Sequence, residues 1–363
     1  MSSTVPVTTV PPVEPHDAAR AGRPEREHRY DVDLIRLLAS VGVILCHSGS
    51  AFLDAVGRTE AGGPGVYWAG IVGDSASRFA VPVFFAIAGW VVLVGAPPKD
   101  GRRLRQRIVR ILVPLGAWTA LYLAWGRWRG TNDGPVTGLA RDALFGSVRP
   151  AFHLWYLYAY VPVVLLLAFV VMVRSGKRPW GLAAALLGLA LAPVLLGDVG
   201  RITGWDMPRL GWTFAPYQLV YAVAGALLVA LPAGAAGRWR ALWALVAVAG
   251  FAGVAWYQHD IHYAIPYGSL FVALFTAGVL LSLHRLPIPG RLRPHLVRLG
   301  NASFGAYLVH LMVLTALSRW FVSDGLGPAA AVASLVGLVA ATTLLSFGAA
   351  LLWARVGLTR LLG

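Results

Sequence analysis

Ten apolar runs of membrane-spanning length divide this chain, and a water-soluble fold cannot accommodate them. They cover roughly residues 32–56, 67–95, 107–126, 153–173, 180–197, 212–231, 239–256, 264–283, 302–322 and 327–353. The fifth is short for a span. A bilayer core about 30 Å thick takes about 20 apolar residues as a helix, and it demands that backbone polar groups be satisfied inside the segment. The pattern therefore predicts an all-α integral-membrane bundle of about ten transmembrane helices. A mean hydropathy of +0.66, with 57% hydrophobic and 13% charged residues, agrees.

The net charge of +15 would suggest nucleic acid until the basic residues are placed. Both tails and the even-numbered connections hold 21 of the 31 Lys and Arg, from Arg20–Arg29 through Lys99–Arg110, Arg174–Arg178 and Arg285–Arg298 to Arg360. This is the positive-inside pattern, which predicts cytoplasmic N- and C-termini. The charge reports topology and gives no indication of nucleic-acid binding. The expected location is a bacterial plasma membrane, crossed many times.

Residues 1–30 carry five prolines and scattered charges without an apolar core, so they read as a disordered cytoplasmic tail. Residues 31–355 form one membrane domain, and 356–363 a short cytoplasmic tail. The first apolar run is too long, and starts too late, for a cleavable signal peptide. One cysteine, Cys46, excludes an internal disulfide framework and a cysteine-based metal cage. No clear internal repeat is visible.

Arg36 and His47 share one apolar run, eleven residues apart. Eleven steps of about 100° return them to nearly one helix face, roughly 16 Å apart along the axis. Ionisable groups at such depth are costly, and are functional candidates by default. Arg36 alone could snorkel to lipid phosphates; His47 is too short to do so. Histidine titrates near neutrality and suits a general base taking a proton from a hydroxyl.

Other candidates each have a plain alternative. Asp74 and Arg78 are i,i+4 and can neutralise each other, either as a folding pair or as a substrate contact. Pro82 should kink its helix, and Gly89 allows close helix packing. Arg107 and Arg110 satisfy topology, yet they share a face where guanidinium forks could hold phosphates. His153 and Trp155 open the fourth run at the depth of His47, where an aromatic belt and a carbohydrate platform read alike. Ser303, Tyr307 and His310 share a face by i, i+4, i+7 spacing, which also serves interhelical hydrogen bonds. His259, Asp260 and His262 are three candidate ligands on one short loop with no fourth, a weak metal signature.

Taken in order, these segments resemble the membrane acyltransferase-3 family, whose members acylate glycans and other surface or secreted molecules. The likeness runs through nearly all of residues 30–355. It is carried by Arg36-x10-His47, Arg78-Phe-Ala-Val-Pro-Val-Phe-Phe-Ala-Ile-Ala-Gly89, Arg107-x-x-Arg110, His153-Leu-Trp-Tyr-Leu and Ser303-Phe-Gly-Ala-Tyr-Leu-Val-His310. Ala88 stands where the family often has serine, and the chain lacks the esterase-like domain that some members append.

The resemblance implies a membrane O-acyltransferase with acetyl-CoA as donor and no metal. Arg107, Arg110 and Arg36 would hold the CoA phosphates at the cytoplasmic face. His47, with Arg36 and His153, would carry the chemistry. Trp155, Arg78, Ser303, Tyr307 and His310 would contact the acceptor, a hydroxyl-bearing glycan or glycolipid outside the membrane. The reaction would finish in this chain or in an extracytoplasmic partner enzyme. The rival reading is a transporter or flippase for a lipid-linked glycan or small molecule.

Overall fold

The computed structural model describes residues 28–132, 134–146, 151–177, 179–208 and 210–363. Nearly all of the expected N-terminal tail lies outside these. No strand occurs among the described residues. In chain order the main helices are α1 (Tyr30–Ala55), α2 (Pro64–Ser77), α3 (Ala80–Trp90), α4 (Gly101–Trp128), α5 (Val136–Leu144), α6 (Trp155–Arg174) and α7 (Trp180–Thr203). There follow α8 (Pro216–Leu228), α9 (Gly237–Trp256), α10 (Leu270–Leu283), α11 (Arg293–Phe321), α12 (Pro328–Arg355) and the single turn α13 (Thr359–Leu362).

Among the described residues, seven helical segments are long and apolar enough to cross a membrane. The chain is thus a multi-pass membrane protein. Helices α8 and α10 have 13 and 14 residues. At ~1.5 Å per residue each covers only about 20 Å. Their apolar runs are longer than their helices because Pro216 sets the start of α8, and residues 262–269 leave the helix to fold back over the bundle. The outward faces are apolar: Leu344, Leu227 and Val336 are 74%, 67% and 62% exposed, as expected of side chains that meet lipid.

Helix α1 is central, packing on α2, α3, α11 and α12. Small residues set the closest crossings. A Cβ on Gly89 would lie 1.9 Å from the Ala222 carbonyl oxygen, and one on Gly225 would lie 2.2 Å from that of Ala86. Helices α3 and α8 therefore touch backbone to backbone, as expected for Gly89.

The kink expected at Pro82 lies one turn earlier. Helix α2 ends at Ser77, and α3 begins at Ala80. Proline has no N–H for the Arg78 carbonyl, and its ring crowds that oxygen, so the break falls on residues 78–79. The ladder resumes with the Val83 N–H on the Phe79 oxygen at 3.0 Å.

At one end of the bundle, Arg29 clasps Asp31 through Nε and Nη2 at 2.8 and 2.7 Å and donates from Nη1 to the Val229 oxygen at 2.9 Å. The Arg285 N–H, from a residue with φ of 47°, donates to the same Asp31 carboxylate at 2.7 Å. The Nε2 of His284 donates to the Leu231 oxygen at 3.1 Å, and its Nδ1 accepts from Arg29 at 3.3 Å. Burial, with the Arg29 guanidinium adding to it, holds His284 below the usual histidine range. At the other terminus, residues 356–363 fold against the bundle, where Trp118 and Trp353 donate to the Leu362 and Gly363 oxygens at 3.1 and 2.9 Å.

Candidate active site

A cavity of about 590 Å³ runs between α1, α3, α4, α6 and α11. That volume is within the range of small-molecule sites. One end is basic and polar, lined by Arg36, Arg103, Gln106, Arg107, Arg110 and Asn301. The middle is lined by Phe84, Ala88, Tyr156 and Tyr160, and the far end by Cys46, His47, His153, Trp155 and Tyr267. Arg36 and His47 therefore open onto one space, as their shared face on α1 predicted.

The arginines retain donor capacity. Arg107 Nη2 donates to the Ala96 oxygen at 2.7 Å, while its buried Nη1 has no partner among the described residues. Arg36 reaches Asp33 at only 3.4 Å. Helix α4 delivers Arg103, Arg107 and Arg110 along one side, and Asp100 caps its start by accepting from the Arg103 N–H at 2.8 Å.

At the far end three imidazoles meet. His47 lies 5.3 Å from His310, nearly parallel, and 6.5 Å from His153, centroid to centroid; His153 and His310 are 5.2 Å apart, edge to face. His153 is 1% exposed, and neither ring nitrogen has a partner among the described residues. A neutral imidazole carries one donor and one acceptor, so both are unmet there. His310 Nδ1 lies 2.5 Å from the Tyr307 carbonyl, which only accepts, so Nδ1 carries the proton. Its Nε2 is then a lone pair, buried and unpartnered among the described residues. The phenol of Tyr307 fixes the turn that carries His153 by donating to the His153 carbonyl at 2.5 Å.

The chain belongs to the acyltransferase-3 family. The family's acyltransferase domain matches residues 29–351, which takes in α1 to α11 and most of α12. No curated protein and no solved structure matches the chain significantly. Membership makes the protein a membrane acyltransferase.

Of the expected acyltransferase residues, Arg36, Arg107 and Arg110 line the basic end, and His47, His153 and Trp155 the far end. Ser303 and Tyr307 also reach the wall, although the Ser303 hydroxyl is turned back onto the Leu299 oxygen at 3.0 Å. Two residues do not line the cavity. Arg78 is buried against Asp74, with Nη2 and Nε at 2.5 and 2.9 Å from one carboxylate oxygen, so its guanidinium is committed to that pair. His310 sits behind His47 and meets that ring rather than the cavity. Ala88 is on the wall and brings no hydroxyl to it.

Tyr156, Tyr160 and Tyr267 are lining residues that sequence reasoning missed. His153, Tyr156 and Tyr160 are spaced i, i+3, i+7, a face that could have been read. Tyr267 lies in the segment assigned to the eighth span, where periodicity gives no sign of a loop. It stacks between Trp155 and Tyr217 at 6.1 and 5.9 Å. Among the described residues no group of three His, Cys, Asp or Glu is placed to hold a metal ion, His259, Asp260 and His262 included.

Proposed function

We propose that this protein is an integral-membrane O-acyltransferase that moves an acetyl group from cytoplasmic acetyl-CoA to a hydroxyl of an extracytoplasmic glycan, lipid-linked sugar or related acceptor. One observation carries the reading: a single cavity joins a cluster of arginines, among them Arg107 with a buried Nη1 that has no partner among the described residues, to His47 and His153 at its other end. A donor with an anionic head and a narrow thioester arm matches that polarity. Arg107, Arg110 and Arg36 hold its phosphates through charge-assisted hydrogen bonds. The arginine-rich end is the cytoplasmic one, and both termini lie on that side.

His47 acts as general base. It takes the proton of the acceptor hydroxyl as that oxygen attacks the thioester carbonyl carbon; the C–S bond then breaks, and the CoA thiolate recovers the proton from the imidazolium. His310 stacks its ring on that of His47 at 5.3 Å, and its buried Nε2 lone pair, unpartnered among the described residues, favours the imidazolium that forms on His47 as it takes the proton. His153, with both nitrogens unspent, hydrogen-bonds the incoming hydroxyl, and Trp155 and Tyr267 present ring faces to the acceptor. Transfer is completed in this chain or relayed to a separate extracytoplasmic enzyme.

The test is acetyl-CoA binding and thioester consumption by the purified protein, compared with Arg107→Ala/Arg110→Ala. Binding by the wild type, weakened at least about tenfold in the variant, is expected from the loss of guanidinium–phosphate contacts worth ~1.5–3 kcal/mol each. A wild-type protein that neither binds nor consumes acetyl-CoA would overturn the reading in favour of transport.

A further inference from the structure

Phe152 and His153 are neighbours on the single turn, Phe152–Leu154, that leads into α6, yet they face opposite ways. His153 is 1% exposed and lines the cavity. Phe152 is 54% exposed and takes no part in the cavity wall, so its open face looks away from that space. The turn lies at the end of the bundle remote from the arginines, because Lys177, just past the other end of α6, donates to the Lys99 oxygen near the start of α4.

Phe152 also touches the proposed base. Among the described residues, three rings lie against His47: His310 at 5.3 Å, Phe152 at 5.3 Å edge to face, and His153 at 6.5 Å. His310 is 0% exposed, so Phe152 is the one of the three that reaches the surface. An aromatic side chain that served only as a membrane anchor would need no such contact.

The backbone beneath this ring is held in place. Ala151 and Leu154 are buried, the Leu154 N–H donates to the Ala151 oxygen at 3.0 Å, and the Tyr307 hydroxyl donates to the His153 oxygen at 2.5 Å. Only the Phe152 side chain is free to move, and rotamer changes of exposed side chains are fast. A donor seated from the basic end occupies the length of the cavity, so a hydroxyl arriving from outside needs a different approach to His47.

We infer that the acceptor hydroxyl reaches His47 past the Phe152 ring, which shields His47 and the loaded thioester from water until it turns aside. Excluding water in this way prevents hydrolysis of a reactive donor. Without the ring, water takes the acceptor's place: its oxygen attacks the thioester carbonyl carbon, the C–S bond breaks, and acetate, a proton and CoA thiol are released. The acceptor's use of the passage rests on the transferase reading above; the passage itself does not.

The test uses the chain's single cysteine, Cys46, which lines the cavity at the His47 end. Full-length wild type, Phe152→Ala, Phe152→Leu and Phe152→Trp are placed in oriented proteoliposomes, and a membrane-impermeant methanethiosulfonate is added on the side away from the arginines. Cys46 keeps its 3.3 Å contact with Asp74 in all four, so the rates compare directly. Modification is expected to be about fivefold faster or more in Phe152→Ala, intermediate in Phe152→Leu and slowest in Phe152→Trp. A folding defect would speed Phe152→Trp as well. In parallel, Phe152→Ala should hydrolyse acetyl-CoA about fivefold faster or more without acceptor, with donor binding within about twofold of wild type. Modification rates that do not follow the size of residue 152, or no modification in any variant, would overturn the inference. Rates that follow its size in a protein that neither binds nor consumes acetyl-CoA would count against the transferase reading and leave the passage standing.

Discussion

Removing Asp74 should unfold this protein far more readily than removing Asp74 and Arg78 together. Asp74 is fully buried, and the Arg78 side chain is 8% exposed. Two arginine nitrogens bond one carboxylate oxygen, and Cys46 Sγ approaches the other at 3.3 Å. Asp74→Ala leaves a guanidinium at membrane depth with no counter-charge. Breaking one partner of a buried pair costs about 3–5 kcal/mol, a large share of a total stability of ~5–15 kcal/mol. Asp74→Leu with Arg78→Met removes both charges and keeps the volume, so it should return to within about 1–2 kcal/mol of wild type. Reversible SDS unfolding in mixed micelles, followed by tryptophan fluorescence, measures both. An Asp74→Ala variant as stable as wild type, or a double variant no better than the single, would refute the assignment of Arg78 as a folding residue.

Three further outcomes follow from named contacts. Gly89→Leu drives a side chain into the Ala222 backbone and should part α3 from α8, giving a protein that inserts but elutes as aggregate on size exclusion. His284 is held below the unfolded histidine value of about 6.5, so the native state binds fewer protons; the stability it contributes is present above about pH 6.5 and declines as pH falls toward its lowered folded value. Thermal midpoints at pH 7.5 and 5 should show that loss, and His284→Gln should shrink it. His310→Phe keeps a ring against His47 but has no lone pair, so kcat should fall about 10²-fold with an altered pH–rate profile and an unchanged KM for acetyl-CoA. A merely packing His310 would leave kcat and the profile alone.

Much of this was legible in the sequence because a bilayer imposes length and periodicity together. The apolar runs located the helices, and the eleven-residue interval in α1 placed Arg36 and His47 on one cavity wall. The depth argument that paired His47 with His153 held for the same reason. Other features depend on which helices touch, which no single run encodes. His310 read as a substrate contact until its ring proved to lie behind His47. Arg78 offered two roles on an equal footing until the burial of Asp74 decided between them. Tyr267 was hidden because residues 262–269 are apolar enough to pass for a helix yet turn back into the bundle. Helices α8 and α10 proved short for a related reason: hydropathy counts apolar residues, and the chain spends some of them on the bends that shape the site.

The central claim is that His47 removes the acceptor proton at the far end of a cavity whose near end holds the donor. The most direct measurement compares wild type and His47→Ala for binding of acetyl-CoA and for transfer of radiolabelled acetyl from it to the acceptors of native membranes. The account predicts donor affinity within about twofold of wild type and transfer reduced at least about 10²-fold. Undiminished transfer by His47→Ala would contradict it.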